Sequence, residues 1–294
     1  MGTVVAGLKP RLTLTQTPRA WDVLQLYKRN PPLVLGAAGV LIMVALAIFG
    51  PILSPYDPLK NDYQSAVQPP SLAHLFGTDK FGRDQLARVL VASRIDLSIG
   101  IITTVFPLLI GTIVGSIAGY YSGLLDGVFM RIVDIQVAFP FIVLLIAILA
   151  ILGPGVIYMY YALILVGWIG FARLVRGEIL VARKMEYVLA ARALGYGSRR
   201  IIVRHLLPNV VGPALIFSMS AVVLNILAGA SLGFLGLGVQ APNAEWGSMI
   251  AESREFFLTA WWLPVFPGLA TACVGISFSL LGDGLAAAVR RRAS

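Results

Sequence analysis

The chain has 294 residues, 58% of them hydrophobic and only 13% charged, with a mean hydropathy of +0.84. A soluble domain carries roughly 25% charged residues, so a water-soluble body is excluded for want of polar surface, and a multi-span membrane protein is the class that fits. The formal net charge of +9 does not point to nucleic acid, because Lys and Arg sit at the edges of apolar runs rather than on a polar domain.

Taken in chain order, the first element is "PRAWDVLQLYKRNPP" at 18–32, where Trp21, Leu24 and Tyr27 recur at helical spacing beside Lys28 and Arg29. That pattern predicts a short amphipathic helix in the membrane interface, within an N-terminal arm over 1–32. A bilayer core needs about 20 apolar residues in a helix, and six runs qualify, near 33–53, 97–119, 132–152, 156–175, 210–238 and 263–285. No A-x-A cleavage site follows a short apolar core, so the first run reads as an anchor and not a removed signal peptide. The Gly153-Pro154-Gly155 break predicts an antiparallel pair of helices. The run near 210–238 is too long and Gly-rich to be one straight helix. Residues 54–93, rich in proline and mixed charge, are expected to pack on the helix ends, and "APNAEWGSMIAESREFF" near 239–262 to form a short surface helix.

Most of the 23 Lys and Arg fall on one side of this topology, eight of them between residues 173 and 209. The asymmetry predicts both termini in the cytosol. The domain reading is then an arm at 1–32, a first span with an outer segment at 33–93, a five-helix core at 94–290 and a cytosolic tail at 291–294. Cys273 is the only cysteine; it reads as a packing residue in an apolar run.

The stretch "EYVLAARALGYGSRRIIVRHLLPN" at 186–209 is basic and helix-prone between two membrane-length runs. Good helix formers run to Leu194, and Gly195 can supply a left-handed C-terminal cap. Ser198 is expected to cap a second helix and Pro208 to limit its end. Ala190, Ala191 and Ala193 would leave a small, knob-free surface, so this helix corner can enter a groove on another protein and carry rigid-body motion into the attached spans.

The corner at 183–209 resembles the EAA loop of ABC importer permeases, with Ala190 and Ala191 as the paired alanines, Gly195 as the glycine and Leu207-Pro208 as the end. Leu189 stands at the glutamate position of that motif and His205 at its isoleucine position. "AARALG" with "RHLLPN", "HLFGTDKFGRD" at 74–84, "RIVDIQVAFP" at 131–140, "LGFLGLGVQAPNAEWGSMI" at 232–250 and "LLGDGL" at 280–285 are similar to C-type permease subunits of the dipeptide/oligopeptide/nickel importers. The resemblance covers roughly residues 30 to 290. It implies an all-α permease of six spans in the bacterial inner membrane. A homologous B-type permease would form the heterodimer, two ATP-binding subunits would dock below, and an extracytoplasmic peptide-binding protein would deliver cargo. It also implies contact with the ATPase subunits through Ala190, Ala191, Arg192 and Gly195, with Arg199, Arg200, Arg204 and Pro208 beside them. This chain would bind no cofactor of its own, ATP and magnesium belonging to the partners.

No G-x-x-x-x-G-K-[ST] occurs. Gly229, Gly233, Gly236 and Gly238 lack the lysine of a phosphate loop and read as close-packing or kink positions. His74 and His205 fall on opposite sides of the predicted membrane and cannot share a metal. Asp134, Asp283 and Glu178, near the cytosolic ends of spans, are expected to form structural ion pairs, with Arg131 as one partner. Ser220 and Asn225 are the best sequence candidates for lining a translocation path. An ion-coupled transporter would need ionisable residues near the midplane, and an intramembrane enzyme a catalytic constellation; neither is evident.

Overall fold

The computed structural model describes residues 30–293; the amphipathic helix expected at 18–32 lies almost wholly outside them. Five helices are long and apolar enough to cross a membrane, and a pair bent by 90° brings the number to six if it is counted as one broken span. Among the described residues there is no strand beyond one isolated bridge, Thr78 with Asp84.

Helix α1, Pro31–Leu53, starts with two prolines, whose missing N–H groups cost nothing in a first turn. It lies against the C-terminal helix so closely that a Cβ on Gly36 would strike the backbone of Leu281. Pro51 lies within α1, and a proline cannot donate to the carbonyl four residues back. Arg94 fills that gap, donating from Nε to the Ala47 carbonyl at 2.6 Å and from Nη2 to that of Ile48 at 2.7 Å.

Helix α2, Gln85–Tyr121, has 37 residues and is therefore about 55 Å long. It begins twelve residues before the apolar run that announces it and crosses the 93/94 boundary of the sequence reading. The Asp84 carboxylate caps it, accepting from the Ala87 amide at 2.7 Å. Its early polar side chains are absorbed by neighbours rather than by water. Gln85 donates to the Leu263 carbonyl at 2.9 Å, the acceptor freed by Pro267.

The run near 132–152 is not one straight span. Helix α3, Gly123–Val137, and helix α4, Phe141–Leu152, meet at 90°. Pro140 supplies the cause: it disfavours helical backbone at the residue before it. After the expected Gly153-Pro154-Gly155 turn comes α5, Val156–Ala182. Gly111, Gly115 and Gly119 of α2 let its backbone meet that of α5, and a Cβ at any of them would collide.

Helix α6, Glu186–Ala193, and helix α7, Ser198–Ile201, form the basic corner. A π turn at Ile202–Leu206 leads into α8, Leu207–Phe234. The run near 210–238, read as too long and Gly-rich for one straight helix, stops short: the helix continues from Ser198 to Phe234 and residues 235–238 lie beyond its end. Its glycines serve close packing: a Cβ on Gly229 would press Ile99, and one on Gly233 would occupy the place of the Glu245 carboxylate. Helix α9, Trp246–Glu252, is the expected short helix. The last, α10, is Trp262–Ala293, so the helix runs on through residues 291–293.

The far end of the bundle, away from the corner, is locked by buried charge. Arg83 donates to Asp79 at 2.6 Å and to Glu252 at 3.0 Å, and Arg88, 1% exposed, reaches Glu252 at 3.1 Å. His74 Nδ1 lies 2.9 Å from Asp84. These contacts fold the segment 54–84 onto α2 and α9, as expected of it.

Candidate functional site

The corner begins at Met185, and Glu186 stands in the first turn of α6 while Arg192 stands in its last. Each charge opposes the helix dipole at its end. Gly195 has φ +77°. Its amide donates to the Arg192 carbonyl at 2.9 Å, and the Tyr196 amide reaches back to that of Ala191 at 3.1 Å. This is a Schellman closure, in which a glycine at the left-handed position lets the chain reverse.

Three expectations for the corner need correction. Ala191 is only 4% exposed; it packs inward with Val188, Ile201, Leu206 and Val210 against Val175 and Ile179 of α5. It therefore supports the corner and is not part of its outer surface. Ser198 is the first helical residue, not the cap, and makes no capping bond; Gly197 takes that place. Pro208 does not end the helix. The Leu207 amide donates to Ile202, five residues back, and the widened turn accommodates the proline ring and its missing donor.

Ala190, Arg192, Gly195, Arg199, Arg200, Arg204 and Pro208 are exposed. The surface is not knob-free, however: Leu194 is 72% exposed and Leu189 is exposed beside it. Arg200 stacks over Tyr196 at 4.1 Å, and Arg192 over Tyr120 of α2 at 5.1 Å. Arg183 donates to the Gly119 and Tyr120 carbonyls and to Ser122 Oγ, at 3.0, 3.1 and 2.6 Å. It thereby satisfies carbonyls that the end of α2 would leave unpaired. Arg176 of α5 grips Asp126 of α3 through two bonds of 2.5 and 2.7 Å, the planar fork that guanidinium and carboxylate favour.

The ion pairs expected of Asp134, Asp283 and Glu178 do not form among the described residues; the bridge at this end is Asp126–Arg176. Asp126 and Arg176 are 50 positions apart, and no local signal in the sequence joins them. His205 stacks on Tyr196 in the corner, while His74 sits at the far end with Asp84, so the two histidines are separated by the length of α2.

Between the α3–α4 bend, α5 and α8 lies a cavity of about 750 Å³. Phe139, Phe141, Phe171 and Phe217 are among its apolar lining, and Thr103, Gln136, Asn225 and Ser231 are its polar members. Its lining carries no ionisable side chain. Asn225 faces this cavity, but its amide is spent on α2, donating to the Thr103 carbonyl and Thr104 Oγ1, each at 2.9 Å. Ser220 is exposed on α8 and is not part of the cavity wall.

Sequence reasoning also missed Glu245. Its carboxylate caps α9, accepting from the Gly247 amide at 2.7 Å and the Ser248 amide at 2.8 Å. Asp96 of α2 accepts from the Trp246 amide beside it at 3.1 Å. Burial pushes the Glu245 carboxyl above the usual carboxylate range, although the two amides act against it. A glutamate before a tryptophan carries no cap signature that the sequence would flag.

The second half of the corner and part of the cavity wall lie on one continuous helix, Ser198–Phe234. Comparison with known proteins places the chain in a family. Residues 111–294 match the family described as binding-protein-dependent transport system inner membrane component, and residues 19–70 match the N-terminal TM domain of oligopeptide transport permease C. The dipeptide transport system permease protein of Alkalihalophilus pseudofirmus is 40% identical, over 88% of this chain and 85% of its own length. That of Bacillus subtilis is 37% identical over 94% of this chain and 85% of its own. The glutathione transport system permease protein of Pectobacterium atrosepticum is 41% identical over 85% of this chain and 84% of its own. With a corner, a cavity and an apolar bundle of this form, the chain belongs to the inner membrane components of binding-protein-dependent transport systems.

Proposed function

We propose that this chain is one transmembrane half of an ATP-driven importer of dipeptides or short oligopeptides. The observation that carries the reading is the continuity of α7, the π turn and α8 over Ser198–Phe234: this helix bears the second half of the exposed corner at its start and part of the cavity wall along its length. The relatives' names, dipeptide and glutathione transport, favour a peptide cargo over nickel or another small solute.

In this reading the basic end faces the cytosol, with both termini inside. A homologous B-type permease completes the path, and an extracytoplasmic binding protein presents the peptide at the far end. Two ATP-binding subunits hold ATP and magnesium and receive the corner. Leu194 and Leu189 enter an apolar groove there, with Arg192, Arg199, Arg200 and Arg204 around them and Ala190, Gly195 and Pro208 allowing close approach. ATP binding favours one arrangement of the ATPases, and the corner follows, tilting α8 and changing which side the cavity opens to. Nucleotide can shift that equilibrium only by its different affinity for the two states. The chain itself makes and breaks no bonds. A cavity without ionisable groups favours this mechanism over coupling to an ion gradient.

The test uses the single native cysteine. In a Cys273→Ser background, Leu194→Cys is expected to react with a membrane-impermeant maleimide in inside-out vesicles and not in intact cells. Assembly with the ATP-binding subunits should shield it. Labelling from the outer face of intact cells would overturn the assignment.

A further inference from the structure

We propose that Asn225 is the positioning residue that ties α8 to α2, by occupying the backbone carbonyl that Pro107 frees, and that this tie passes movement of the corner into the cavity wall. The second half rests on the function proposed above; the first does not.

Pro107 lies inside α2. Lacking an N–H, it leaves the carbonyl of Thr103 without its helical donor. An unpaired backbone carbonyl in an apolar interior is costly. The Asn225 amide fills this vacancy at 2.9 Å and gives its other proton to Thr104 Oγ1 at the same distance. Asn225 is buried. Packing fixes the helices on either side of the tie. A Cβ on Gly100 of α2 would meet Ile226 and Val222 of α8, and one on Gly229 of α8 would meet Ile99 of α2. The two helices therefore cannot slide past one another without breaking the Asn225 bonds.

The same solution recurs at Pro51, whose freed carbonyl Arg94 takes, and at Pro267, whose freed carbonyl Gln85 takes. Those two fasten α1 and α10 to α2. The Asn225 tie differs in its address. It sits on the continuous helix Ser198–Phe234, about 40 Å from Ser198, and its side chain borders the cavity.

Suppression separates the tie from simple satisfaction of the carbonyl. Asn225→Ala empties the Thr103 carbonyl, and Pro107→Ala returns an amide at position 107 that an unbroken helix aims at it. For the purified full chain in detergent, Asn225→Ala is expected to lower the thermal midpoint by several degrees. Asn225→Ala with Pro107→Ala should recover it, because the acceptor is paired again. In the complete importer in lipid nanodiscs, Asn225→Ala should cut the ratio of cargo-stimulated to basal ATPase at least about fivefold, the scale of one buried acceptor left unpaired. The double variant should stay uncoupled, since its new bond lies within α2 and no longer reaches α8. Thr104→Val leaves the bond to the Thr103 carbonyl in place, so it should lower the midpoint less than Asn225→Ala does and leave coupling near wild type.

A double variant as unstable as Asn225→Ala overturns the pairing with Pro107. Should Asn225→Ala give no folded chain, a double variant that also fails to fold overturns it equally. Coupling that returns together with stability makes Asn225 merely structural and overturns the transmission. A wild-type complex without cargo stimulation sinks the proposed function and the transmission with it, while the midpoint comparison still decides the tie.

Discussion

The two ends of the bundle are built on different physics. At the far end Arg83, Arg88, Asp79 and Glu252 form a buried, multiply bonded charge network, and Glu245 and Asp84 cap helices from inside the fold. At the corner the charges lie outside. Its arginines stack on Tyr120 and Tyr196 or stand free on the surface, and its shape depends on one left-handed glycine and a small apolar cluster. Buried charge networks are costly to break and hold a single arrangement; a surface corner with a short apolar base can shift as a body. The contrast separates an end locked by buried charge from one whose shape rests on a single turn and a small apolar cluster.

Four measurements would break or sharpen that contrast. The largest effect is expected at the locked end. Arg88→Ala leaves Asp79 and Glu252 undercompensated in a buried site and should cost about 3–5 kcal/mol, read as a lower thermal midpoint of the full chain in detergent. A loss below about 1 kcal/mol would show that the network is not what locks that end.

Gly195→Val comes next. A β-branched residue at positive φ costs roughly 1–2 kcal/mol, and the strain stays local because no atom lies near its Cβ. Membrane insertion and the far-end midpoint should survive, while cargo-stimulated ATPase of the assembled importer should be abolished. Normal stimulation in this variant would remove the corner from the mechanism.

Arg183→Met is smaller. It unpairs the last carbonyls of α2 and should cost on the order of 1 kcal/mol, seen as faster amide exchange at the end of α2 with the far end unchanged. Exchange that rises at both ends alike would show the two regions to be one cooperative unit.

The smallest effect concerns pH. The Glu245 carboxyl binds its proton more tightly folded than unfolded, because burial raises it. Its contribution is fullest below the ordinary carboxylate range, and stability falls as pH rises from there through the elevated folded value. Asp96 beside it shares the site. Midpoints measured from pH 4 to 8 should fall at the far end, and Glu245→Gln should flatten that slope; an unchanged slope would acquit this carboxyl.

The spans and the corner were legible because they are written locally. An apolar run long enough to cross a bilayer, a Gly-Pro-Gly break and a helix-Gly-helix pattern each need fewer than 40 consecutive residues. The bend before Pro140 was not read, since hydropathy stays high on both sides of it and apolar composition does not encode direction. The burial of Ala191 escaped because an alanine suits an inward and an outward face equally; only the packing of Val188 and Ile201 decides. Arg88 with Glu252, Arg176 with Asp126 and Asn225 with Thr103 are pairings across 164, 50 and 122 positions. A single sequence states that such polar residues exist but not which groups they meet. Pro107 did hold half of the last clue, for an internal proline announces a lone acceptor whose partner must be sought elsewhere.

The π turn at Ile202–Leu206 sets an angular phase. One extra residue in a turn rotates everything beyond it by about 100°, so the bearing of Leu194 and Arg199 relative to Phe217 and Asn225 is fixed there. Removing a single residue from the turn would leave the composition, the charge and the hydropathy of the chain almost untouched. It would nonetheless aim the corner at a different compass point, as a gear mounted one tooth out of step.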